Sequence, residues 1–319
     1  MALLMLWGMA HCRPAAAGRL AQVRARGVLV VGVKDEYPPF GMINPRGRIV
    51  GFEPDLAADI ARRLHVKLRL VGVNTANRLE KLVDGSVDLL IATMGDTAKR
   101  RRIADLIEPD YYASGVNIIL PKSRHIRDWT QLRGQTVCST QGAYFNRPMA
   151  RRHLLVLQTY NGTRDAKLAL RQGRCVGWLY DDTEIEAELA LPQWRGYAMP
   201  LPSLLLSPWA MAIRKGKDGA DLDRMVGDTI ADWHRTGFLI ALGEKWHLKP
   251  SPFLKREHKL WSARASNGAY VCHRLADGAW PVMCRNQTLL SAAEVGGLRR
   301  LGLRVRTPAP AVAGSIAAG

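Results

Sequence analysis

A β-α-β-α-β rhythm passes through this chain twice, and nothing else in the sequence restricts the possible folds as much. Residues 27–34, Gly-Val-Leu-Val-Val-Gly-Val-Lys, form the short apolar run expected of a buried strand. Pro38-Pro39-Phe40 and Asn44-Pro45-Arg46-Gly47 then mark loops. Phe52, Leu56, Ile60 and Leu64 recur at a spacing of four and give the next segment one apolar helical face, with Glu53 placed to cap its start. A strand over 66–73, a short helix over 77–83 and a strand over 87–93 complete the first copy. The second copy has strands over 137–139, 154–160 and 175–180, and helices over 143–152 and 164–172. Such alternation predicts an α/β fold, each copy a mainly parallel sheet flanked by helices. Two copies predict two lobes. Extended segments at 115–120 and 209–213 are placed to cross between them, and an amphipathic helix near 218–236 follows. The predicted division is 24–116 plus 208–262 for lobe 1 and 117–207 for lobe 2.

Charge and cysteine content narrow the function classes. The formal charge is +18, but the 46 Lys and Arg are scattered, and the densest run, Lys99 to Arg102, is followed by Asp105 and Glu108. That distribution argues against a nucleic-acid stripe and suits attraction of small anions. Five cysteines are too few for a disulfide scaffold, and the eight histidines do not cluster at metal-ligand spacing, so no metal or cofactor is expected. Residues 1–17 read as a secretory signal: an apolar run too short to span a bilayer, then Ala15-Ala16-Ala17, although no Lys or Arg opens it. No later run approaches a membrane-spanning length. From about 263 the chain turns rich in Ala, Gly and Arg and ends in a stretch that reads as disordered; Cys272 and Cys284 fall there as a candidate pair.

Six segments, in order over residues 27–250, resemble the bacterial periplasmic binding proteins for polar amino acids (solute-binding protein family 3), the soluble components of ATP-driven importers. They are GVKDEYPPFG (32–41), GRIVGFEPDLAADIARRL (47–64), LVDGSVDLLIATMGDTAKRRR (82–102), EPDYYASG (108–115), RQGRCVGWLYDD (171–182) and SPWAMAIRKG (207–216). The resemblance implies a two-lobed type II fold with two crossover segments. It also implies a cleft that closes on its ligand by hinge motion, a periplasmic location and delivery of the ligand to a membrane permease. A monomer is expected.

A free amino acid is a zwitterion, so its site needs an anion receptor and a cation receptor. Arg100 matches the family's α-carboxylate ligand, and a guanidinium forks two hydrogen bonds onto a carboxylate. Thr93 and Gly95 precede it in the same motif; the family usually has Ser or Thr where this chain has Gly95. Asp181, at the end of a strand, matches the acid that receives the α-ammonium. Lys34 stands where members that bind basic amino acids typically have Asp. Arg78, in the segment Asn74-Thr75-Ala76-Asn77-Arg78, resembles a side-chain-binding Arg of aspartate- and glutamate-binding members. Two cations at the side-chain end favour an acidic ligand and repel lysine or arginine. Tyr37, Tyr144 and Tyr180 are candidate cleft walls, and Thr75 and Thr140 candidate hydroxyl donors. Ala143-Tyr144 departs from the family's usual Gly-Thr-Thr.

Two other functions are compatible with the fold. One is a cyclohexadienyl dehydratase-like enzyme acting on a carboxylated ring, although no nucleophile–base pair stands out. The other is a ligand-sensing domain, which calls for a membrane span and an output domain that the sequence after 263 does not carry. Cys138 and Cys175 are expected to stay unpaired. The family's strands are parallel neighbours, and an offset of several residues at about 3.3 Å each would exceed the roughly 7 Å limit for a disulfide.

Overall fold

The computed structural model describes residues 18–264. The expected signal over 1–17 and the candidate pair Cys272 and Cys284 lie outside them. Helix α1 (Arg19–Arg26) leads into β1 (Val28–Lys34). A small antiparallel sheet follows, made of β2 (Glu36–Tyr37), β3 (Gly41–Ile43) and β4 (Ile49–Val50). Then come α2 (Phe52–Leu64), β5 (Lys67–Val73), α3 (Arg78–Val83), β6 (Leu89–Ile91), α4 (Ala98–Arg101) and the 18-residue β7 (Ala104–Pro121). The second copy comprises β8 (Thr136–Thr140), α5 (Asn146–His153), β9 (Val156–Tyr160), α6 (Thr163–Arg171), β10 (Trp178–Asp181) and α7 (Asp182–Leu189). β11 (Tyr197–Ala198), β12 (Leu204–Arg214), α8 (Ala220–Thr236), α9 (Phe238–Lys245) and α10 (Pro252–Ser262) complete the order.

Strand pairing explains how two parallel units become one molecule. The sheet runs β5-β1-β6-β12-β7-β10-β8-β9, with β11 on β7. β1 is parallel to β5 and β6, and β8 is parallel to β9 and β10. Between these parallel halves lie β7 and β12, antiparallel to each other and to their outer neighbours. β7 therefore serves both halves: Ala104 to Ile107 pair with the end of β12, and Val116 to Ile119 pair with β10. β12 is longer than the crossover expected at 209–213. That stretch pairs with β6 inside the first half, while the register of β12 breaks between Leu204 and Ser207. This is the two-lobed arrangement the resemblance implies, and the strand ends of the two halves meet: Lys34, which ends β1, lies 3.5 Å from the Tyr180 hydroxyl of β10.

The apolar periodicities become core contacts. Phe52, Leu56, Ile60 and Leu64 of α2 are all buried. So are Leu222, Val226, Ile230 and Trp233 of α8, on which α10 packs through Leu260 and Trp261. Glu53 does not cap α2. Gly51 occupies the cap at φ 147°, in contact range of the Phe40 carbonyl that a side chain would strike. Glu53 is instead fully buried, accepting from the Thr93 N–H at 2.6 Å and from the Tyr111 hydroxyl.

Cys138 and Cys175 form a disulfide with Cα atoms 5.6 Å apart, contrary to the expectation that they stay separate. Residues 175–180 are not one extended strand. β10 begins only at Trp178, which is the parallel neighbour of Cys138 in the middle of β8. Residues 174–176 bend, so the distance per residue of a strand does not apply to them. The Val176 N–H reaches the Thr136 carbonyl and the Cys138 N–H reaches Gly177, both at 2.9 Å, which brings Cys175 back beside β8. Asp181 nonetheless ends β10.

Candidate functional site

Parallel strands in α/β sheets deliver functional side chains at their C-terminal ends. Here Lys34 ends β1, Thr75 and Arg78 follow β5, Thr93 and Gly95 follow β6, Thr140 ends β8, and Tyr180 and Asp181 end β10. Of the eleven residues singled out in the sequence, only Tyr144 is not buried, so this is an enclosed polar cluster and not a solvated rim.

The two halves meet through these side chains. The Lys34 Nζ donates to Thr75 Oγ1 at 2.7 Å and lies 3.5 Å from the Tyr180 hydroxyl, which is 3.0 Å from Thr75 Oγ1. The Tyr37 hydroxyl lies 2.9 Å from Thr183 Oγ1 and 3.4 Å from Asp181 Oδ2. Arg78 donates through Nη1 to the carbonyls of Ala92 and Thr93. Arg100 donates to the Gly95 carbonyl at 2.7 Å and, across the cleft, to the Gly142 carbonyl at 3.2 Å. Gly142 makes this approach at φ 79°, and a Cβ there would fall 2.8 Å from the Thr75 carbonyl oxygen, so glycine suits the position sterically and conformationally. The Tyr144 hydroxyl donates to the Leu205 carbonyl at 2.9 Å.

Burial sets the electrostatics. It presses the Lys34 ammonium down to about 8, and the Arg78 charge adds to the effect. It lowers Arg100 and Arg78 in the same way. It pushes the Asp181 carboxyl up to about 7, helped by Asp182 and opposed by Arg78, Lys34 and Arg100. Glu53 rises to about 7 for the same primary reason. In each case desolvation disfavours the charged form, and a partner of opposite sign would favour it.

Thr93 Oγ1, Thr140 Oγ1 and Asp181 Oδ1 are buried without a hydrogen-bond partner. Buried polar atoms are nearly always paired. Thr140 and Asp181 end the neighbouring strands β8 and β10, Thr93 follows β6 in the other half, and these orphans are consistent with a small ligand that has both acceptors and donors. Arg100 also has more N–H groups than its two carbonyl partners use. Thr183, Ser207 and Glu53 join this neighbourhood without having been singled out in the sequence as site residues. Glu53 and Ser207 lie in the segments 47–64 and 207–216, where the signal was present but pointed to a helix start and a crossover strand. Nothing local marks Thr183, which arrives by tertiary packing. Among the described residues no group of His, Cys, Asp and Glu is arranged to hold a metal, and no helix is long and apolar enough to cross a membrane.

Comparison with known proteins identifies the family. Residues 29–249 match the family model described as bacterial extracellular solute-binding proteins, family 3. The L-cystine-binding protein TcyJ of Escherichia coli K12 is 29% identical over 251 residues, covering 77% of this chain and 92% of the relative. The glutamate/aspartate import solute-binding protein of Salmonella typhimurium is 24% identical over 267 residues, covering 77% and 85%. Among solved structures, a solute receptor for L-cysteine of Neisseria gonorrhoeae superposes with a TM-score of 0.67 at 28% identity, covering 71% of this chain and 92% of that one.

Proposed function

Because the chain belongs to the family-3 bacterial extracellular solute-binding proteins, we propose that it binds an acidic amino acid, aspartate or glutamate, between its halves and delivers it to an importer permease. The observation that carries this reading is the set of buried cations. Lys34, Arg78 and Arg100 are each at most 6% exposed, and their donors go to neutral carbonyl and hydroxyl oxygens. Unpaired buried charge is costly, and a ligand of opposite charge offsets that cost. Arg100 takes the α-carboxylate, with Thr93 and Gly95 beside it. Asp181 takes the α-ammonium. Lys34 and Arg78, with Thr75 and Tyr180, take the side-chain carboxylate. Tyr37, Thr140 and Tyr144 line the remaining walls.

In this reading residues 24–116 with 208–262 make one lobe and 117–207 the other, and β7 and β12 are the hinge strands. A periplasmic location is supported by the Cys138–Cys175 disulfide, a bond that persists in oxidising compartments. Titration calorimetry of protein freed of ligand by unfolding and refolding tests the ligand class. L-glutamate or L-aspartate should bind far more tightly than L-lysine, L-arginine or L-cystine. Preference for a basic amino acid or for cystine would overturn the acidic reading.

A further inference from the structure

Gly95 lies beside Arg100, and the space that a side chain at 95 would fill is already taken. A Cβ built there would lie 2.5 Å from Ser207 Oγ, 3.3 Å from Arg100 Nη1 and 3.3 Å from the Tyr144 ring. A hydroxyl from β12 thus occupies the place residue 95 leaves open, on the face of Gly95 that the guanidinium also borders. Gly95 is itself bridged to Trp209 of β12, so the two segments are held in register at this point.

The backbone of β12 is shaped to deliver that hydroxyl. Its register slips between Leu204 and Ser207, and Leu205 sits at φ 49°, in the left-handed region that a leucine avoids. Strain of this kind concentrates at functional sites. The bulge turns Leu206 outward, 65% exposed, and Ser207 inward, 6% exposed. Ser207 Oγ has two acceptors within reach, the carbonyl of the next residue at 3.3 Å and the Tyr144 hydroxyl, which accepts from it while donating to Leu205. Both are neutral, and a carboxylate oxygen is the stronger acceptor for the same proton.

We propose that Ser207 is part of the ligand's α-carboxylate receptor: its hydroxyl donates to the carboxylate that Arg100 holds, from the strand joining the two halves. This deepens the amino-acid-binding reading and rests on it. An α-carboxylate is common to all amino acids, so the contribution of Ser207 is independent of the ligand's side chain.

Titration calorimetry on the full chain with L-glutamate, L-glutamine and L-cystine tests it, alongside thermal melting without ligand. S207A should lose about tenfold in affinity for every probe that the wild type binds, by a common factor, with the ligand-free melting point unchanged. Removing Oγ takes away the closest atom to the built Cβ at 95 and leaves Arg100 Nη1 and the Tyr144 ring at 3.3 Å, two side chains that need shift only a few tenths of an ångström. The swap G95S/S207A therefore returns a hydroxyl from the opposite side and should recover affinity to within about threefold of wild type. A role confined to bracing the bulge would lower the melting point and would not be rescued by the swap, and that result overturns the proposal. So does wild-type affinity in S207A. A wild type that binds none of the three probes would instead sink the amino-acid reading itself.

Discussion

Replacing both Cys138 and Cys175 with Ala should destabilise the protein substantially without emptying the site. The two cysteines are 37 residues apart in the chain. Releasing a loop of that length returns conformational freedom to the unfolded chain equivalent to about 4 kcal/mol at 25 °C. Both positions are buried, so the missing sulfurs add on the order of 1 kcal/mol of lost packing. For a chain of this size, a loss of that order lowers the melting point by about 10 °C or more. Affinity should change less than about threefold, an expectation for a change remote from the ligand. β10, which carries Tyr180 and Asp181, is also held by β7 from Trp178 to Asp181 and does not depend on the disulfide for its place. Differential scanning calorimetry of the oxidised wild type and the double variant measures the first effect, and ligand titration the second. A melting point lowered by less than about 2 °C would refute the loop-entropy argument. Free thiols at both positions in a non-reducing peptide map would refute the pairing and the bend at 174–176 that produces it.

Other expectations follow from the charges. Arg100→Ala should weaken every amino acid by on the order of 2–5 kcal/mol, since it removes the carboxylate receptor, whereas Lys34→Ala should weaken acidic ligands selectively; calorimetry with glutamate and glutamine separates the two, and equal losses in Lys34→Ala would count against the side-chain role. Affinity for glutamate should be bell-shaped in pH. Asp181 stays protonated up to about 7 without ligand, and an ammonium partner lowers its pKa, so binding releases a proton and strengthens as pH rises to about 7. Lys34 loses its proton above about 8, and a ligand carboxylate raises its pKa, so binding takes up a proton and weakens as pH rises past about 8. Asp181→Asn should remove the acid limb and Lys34→Met the alkaline limb, each read as lost proton exchange in buffers of different ionisation enthalpy. In the ligand-free protein, the depressed Lys34 pKa makes stability rise between pH 8 and 10.5, where the unfolded chain holds the proton that the folded one has shed. Chemical denaturation of Lys34→Met across that window should show a flatter profile than wild type.

Much of the fold was open to reading because periodicity is a local property. The spacing of Phe52, Leu56, Ile60 and Leu64 named the buried face of α2, and the run before Lys34 named a buried strand. Arg100, Asp181, Lys34 and Arg78 could be chosen in advance because their segments resemble the family's motifs, and for Asp181 the end of a parallel strand is also where such sheets place ligands. α10 was also legible and passed over: Ser251 caps it, accepting from the Leu254 N–H at 3.3 Å, and Pro252 opens it. What the sequence alone determined is therefore the α/β class, the two-copy organisation and a pool of polar residues at strand ends. Tertiary structure decided the rest, because it depends on distances between segments far apart in the chain. A bend of three residues joined Cys138 to Cys175. The buried environment of Thr93 and Tyr111 turned Glu53 from a helix cap into an interior carboxylate. A bulge in β12 set Ser207 against Gly95 across more than a hundred residues of intervening chain, and no local pattern encodes a contact that exists only once the sheet has closed.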